Sequence, residues 1–117
     1  MGRKYIQTYD DDYTFRLFDE DTNLPLTENV PMEDLIQSFV YGGIYPYTVN
    51  GTQGTIECTD FGYINFTEQR GIIRSEYTIK IAYDNFVEFL RHICNLLYGT
   101  RNPTFLNIPT ERLTLNH

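Results

Sequence analysis

The chain has 117 residues, the size of a single domain that can bury a core without a metal or a disulfide. Nine basic against sixteen acidic side chains give a net charge of −7, which opposes direct contact with a nucleic-acid backbone. Ten tyrosines, eight phenylalanines, no tryptophan and one alanine favour strands, and no stretch approaches the ~20 apolar residues that cross a bilayer.

Met1 to Gln7 lacks the apolar run of a secretory signal, and Ile6 stands where a myristoylation motif needs Ser or Thr, so a cytoplasmic protein is expected. Arg3 to Tyr9 reads as a first strand and Asp10-Asp11-Asp12 as a polar corner. Tyr13 to Phe18 alternates at the strand period, placing Tyr13, Phe15 and Leu17 opposite Thr14, Arg16 and Phe18. Asp19 to Asn23 is turn chemistry, and Leu24 to Leu26 is at most an edge segment because of Pro25. A first helix begins at Pro31, carries Glu33 and Asp34 in its first turn, and ends at Gly42-Gly43.

The middle is rich in strands. Ile44 to Val49 leads into Asn50-Gly51, the dipeptide of a tight hairpin, and Thr55 to Cys58 and Gly62 to Phe66 follow as short strands. A long strand is expected from Ile72 to about Tyr83, with Ile73, Tyr77, Ile79, Ile81 and Tyr83 on one face. A second helix, about 84–98, is capped by Asp84 and closed by Gly99, and its broad apolar half needs a sheet face to cover it. Leu113 to Leu115 is a candidate edge strand. The expected architecture is a single α+β domain over 1–117, a mainly antiparallel β-sheet with two helices, the second packed on one sheet face.

No catalytic or metal signature emerges. Asp19, Asp21 and Asn23 fit the first positions of an EF-hand loop, but Leu24 and Val30 replace the required Gly and Glu. Starting at Asp10 fails too, with Phe15 at the glycine position. Cys58, Cys94, His92 and His117 lack zinc spacing, and the two cysteines are expected as free, buried thiols. His92 lies four residues after Glu88, the spacing of a surface pair, and Glu76 with Lys80 is too widely spaced for a nuclease signature. No cofactor is therefore expected.

Charge distribution is the one informative pattern. Residues 1–40 hold nine of the sixteen acids but three of the nine bases, a balance of −6. Tyrosines 9, 13, 41, 45 and 47 lie near this segment or near loops, and tyrosine suits interfaces. The expectation is a non-enzymatic protein whose partner carries a basic surface, bound through Tyr9, Asp10, Asp11, Asp12, Tyr13, Asp19, Glu20 and Asp21. In its sharper form the chain is a small inhibitor, of the type phages and mobile elements encode, whose carboxylates imitate phosphate on a nucleic-acid-binding surface. The alternatives are a structural subunit that self-associates through edge strands, and a small enzyme with a dispersed site.

Overall fold

The computed structural model describes residues 2–60 and 62–100. The candidate edge strand Leu113 to Leu115 lies outside them. The first hairpin forms where the period-2 pattern places it: β1 (Lys4–Tyr9) pairs antiparallel with β2 (Thr14–Asp19), from Lys4 opposite Asp19 to Tyr9 opposite Thr14. A two-residue β3 (Val30–Pro31) closes the other side of β2, giving the order β1-β2-β3. Proline is tolerated there because β3 is an edge. Pro25 also touches β2, through an isolated bridge to Phe18, which is all that forms of the expected segment at 24–26.

Helix α1 (Met32–Tyr41) starts directly after Pro31, whose extended backbone (ψ 131°) caps it. Gly42, at φ 75°, ends it by donating its N–H to the Ser38 carbonyl. A four-stranded antiparallel sheet follows in sequence order: β4 (Tyr45–Val49), β5 (Thr52–Asp60), β6 (Tyr63–Arg70) and β7 (Ile73–Lys80). Asn50 and Gly51, at φ 51° and 79°, make the two-residue turn between β4 and β5 that their dipeptide predicts. The central strands are longer than the apolar runs that announce them. Their ends reach past the core, where pairing no longer needs burial.

Helix α2 (Tyr83–Tyr98) begins one residue before the expected start. Ala82 is its cap, Asp84 lies in the first turn without a side-chain capping bond, and Gly99 closes the helix in the left-handed conformation. Strand β7 ends at Lys80; Ile81 still donates its N–H to the Gly62 carbonyl, 2.8 Å away and in register with the ladder, and the chain then turns at Ala82 into α2. Tyr83 is thus helical and exposed, and Ile73, at the tip of the β6–β7 hairpin, is exposed too. Both depart from the single apolar face expected for 73–83.

One core joins all these elements. Helix α1 lies on the four-stranded sheet, against β4 and β5. Helix α2 sets Phe89 edge-on to Phe15 of β2, and it meets α1 through Phe86 and Phe39. The Phe15 ring also stands edge-on to Phe66 of β6, so one side chain ties both sheets to α2. The domain is α+β, as the patterning predicts.

Candidate functional site

The acidic segment folds into the first hairpin and is divided by it. Asp10–Asp12 form a one-turn 3-10 helix joining β1 to β2, flanked by Tyr9 and Tyr13. Asp19, Glu20 and Asp21 sit at the opposite end of β2, where Asp19 ends the strand. Strand β2 lies between the two groups and spans five residue rises, roughly 17 Å when extended.

At the corner all three carboxylates are exposed, as is Tyr13 at 49%. Tyr13 adopts the left-handed conformation (φ 56°, ψ 40°), and its N–H reaches the Asp10 carbonyl at 3.4 Å. An aromatic residue there carries strain of order 1 kcal/mol that glycine would not. The corner is fixed to the rest of the fold by His92 of α2, whose Nε2 donates to Asp10 Oδ1 at 2.9 Å. The Glu88 expected beside His92 instead takes Arg91 at 3.0 Å. Asp11 and Asp12 form no ion pair with the other described residues.

That hydrogen bond outweighs a desolvation cost and holds the Asp10 carboxyl below its ordinary value of 3.8. A carboxyl whose pKa falls on folding stabilises the fold above its unfolded pKa, and the contribution is lost as pH drops through the folded value. The partners are 40% and 46% exposed, so the link is worth ~0.2–1 kcal/mol. Thermal unfolding should show Asp10→Asn less stable than the parent by that amount near about pH 6, with the gap closing toward about pH 3.

The other acidic group has different surroundings. Asp19 Oδ1 accepts the backbone N–H of Asp21 at 2.8 Å and of Thr22 at 3.3 Å, so it builds its own turn. Glu20 shares a cleft of about 340 Å³ with Arg3, Lys4 and Lys80. This end of the hairpin therefore mixes acids with bases, whereas no Lys or Arg pairs with Asp11 or Asp12 among the described residues. Tyrosine divides likewise. Tyr41 is 73% exposed, whereas Tyr45 packs against the core and Tyr47 is buried. Tyr47 is thus corrected from interface candidate to core residue.

Tyr47 belongs to a polar cluster that sequence reasoning missed. Its hydroxyl donates to Glu68 Oε2 at 2.6 Å, and the Glu28 backbone N–H donates to the same carboxylate at 2.9 Å. Arg70 then reaches Glu28 Oε2 at 2.7 Å. Glu68, 8% exposed, is the one charged residue among the buried described residues, and both its oxygens are occupied. The tyrosine hydroxyl is pushed above its ordinary value, first by burial and then by its bond to Glu68, so it remains a donor. With every donor and acceptor satisfied, the cluster acts as a cross-link between the 27–29 loop and the four-stranded sheet.

Among the described residues, no group of three His, Cys, Asp or Glu side chains is placed to hold a metal ion. Cys58 is half-buried, and burial pushes the free Cys94 thiol up to about 11, far from a reactive thiolate. No helix of the described residues is long and apolar enough to cross a membrane. Comparison with protein-family models, characterised proteins and solved structures finds no match.

Proposed function

We propose that this chain is a non-catalytic binding module whose acidic hairpin corner docks a basic surface on a partner protein. The observation that carries the proposal is the Asp10–Tyr13 corner. It presents three consecutive carboxylates and an aromatic ring held in a strained backbone conformation, anchored from behind by His92. Strain of this kind persists where the surroundings enforce it, and it is concentrated at functional sites. A fixed corner loses little entropy on binding, and its charge speeds the encounter with a cationic surface. In the sharper form, the carboxylates occupy phosphate positions on a nucleic-acid-binding protein. Asp19, Glu20 and Asp21 then play a lesser part, because Arg3, Lys4 and Lys80 stand beside Glu20.

The test uses two variants that leave the Asp10 anchor in place. Asp11→Lys with Asp12→Lys should unfold within ~0.5 kcal/mol of the parent, yet lose the partner that the immobilised parent captures from host lysate at low salt. Tyr13→Gly should gain about 1 kcal/mol of stability while binding that partner more weakly. Undiminished capture by the charge-reversed variant overturns the proposal.

A further inference from the structure

We propose that the cleft between the outer edges of β1 and β7 takes up an extended, acid-rich segment of a partner protein by strand addition. β1 is the outer strand of the three-stranded sheet, and β7 is the outer strand of the four-stranded sheet. Among the described residues neither has a strand partner on its outward side, and both line the same cleft of about 390 Å³. Two open edges offer rows of N–H and C=O groups, which only an extended backbone can satisfy in register.

The walls state what the segment should carry. Ile6, Ile79, Ile81 and Phe89 supply apolar surface, while Lys4 and Lys80 stand on opposite sides, with Arg3 in the adjoining cleft. The described residues include seven Lys and Arg. Arg70, Arg74 and Arg91 pair with carboxylates, and Arg16 donates to the Thr27 carbonyl at 2.9 Å. The remaining three, Arg3, Lys4 and Lys80, have no carboxylate partner among the described residues, and they are the three at this cleft. Lys80 lies 4.5 Å over the Tyr63 ring, and Lys4 donates only to the Gly2 carbonyl, at 3.1 Å. Glu20, at the Arg3 end, leaves the excess positive. In a protein of charge −7, such a concentration of unpaired cations selects an anionic occupant. The hairpin corner of a second copy does not fit, since Asp10–Asp12 are coiled into a 3-10 turn. An extended segment alternating apolar and acidic residues matches the apolar walls, the cations and both edges.

The test measures fluorescence anisotropy of the full chain with labelled peptides about seven residues long, alternating valine with glutamate. The glutamate peptide should bind saturably, and its lysine counterpart at least about tenfold more weakly. A glutamate peptide N-methylated at alternate positions keeps its charge but loses the N–H groups facing one edge, and should bind about tenfold more weakly. Lys4→Gln with Lys80→Gln, with folding checked by circular dichroism, should weaken the parent peptide by a similar factor. Equal binding of the N-methylated peptide, complete displacement by inorganic phosphate, or no saturable binding up to about 1 mM would each overturn the proposal.

Discussion

Phe15→Ala should remove about 3–5 kcal/mol of folding stability, read as a lower denaturant midpoint at nearly unchanged slope. Phe15 is fully buried, and its ring lies 6.0 Å from that of Phe66 and 5.7 Å from that of Phe89, both edge-on. Truncation therefore removes apolar burial and two ring contacts at once, and leaves a void bounded by three elements that cannot all move inward. A domain of this size has about 5–15 kcal/mol in total, so the loss is a large fraction of it. The neighbouring Phe18 points the other way, stacking at 5.3 Å on Tyr5 outside the core. Phe18→Ala should cost less than half as much. Equal losses at 15 and 18 would mean that the core is not where the hairpin's alternation puts it.

The second large effect is expected at Gly54, in the middle of β5. A methyl group there would overlap the Tyr47 ring and lie 2.6 Å from its hydroxyl oxygen. Tyr47 is directly opposite in the ladder and is held by Glu68, so neither ring nor backbone can give way cheaply. Gly54→Ala should cost about 3 kcal/mol, from overpacking and from the lost hydroxyl bond to a buried carboxylate. Tyr47→Phe isolates the second part, at about 1.5–3 kcal/mol, because the buried Glu68 carboxylate then keeps only the Glu28 N–H as donor. In a double-mutant cycle, Gly54→Ala should be nearly neutral once Tyr47 is alanine. A full cost in that background would place the damage in the strand and not at the ring.

The local elements were legible because each is announced by adjacent residues. Alternation from Tyr13 to Phe18, Asn50-Gly51, and Gly99 after an apolar half-helix all act within a few positions. Phe15 and Leu17 are buried as that alternation predicts, whereas Tyr13, in phase with them, lies beyond the ladder in the left-handed corner. Sequence reasoning ran the seventh strand into α2 because the apolar alternation continues to Tyr83. The chain nevertheless turns at Ala82, just after Ile81 makes the last in-register bond to Gly62, and Tyr83 becomes helical.

The site was legible only as composition. That Asp10 meets His92 across 82 positions, or that Glu28 meets Glu68 across 40, has no local signature. Nor does the placing of Lys4 and Lys80 on one cleft. The separation of the acids into two groups follows from the strand between them, whereas the sequence reading, with a strand at Tyr13 to Phe18, still takes them as one surface. One cue for the buried cluster was present: a glycine inside a strand marks a place where something approaches closely. At Gly54 that something is Tyr47.

The same long-range links bear on the order in which the molecule assembles. Hairpins and helices form from neighbours, while a contact between positions 28 and 68, or 10 and 92, must await closure of a long loop. Such bonds are expected to form after the transition state, so that their loss should act on unfolding. They should then act as latches: removing either bond should speed unfolding while leaving the folding rate almost untouched, which folding and unfolding rates measured across denaturant would show.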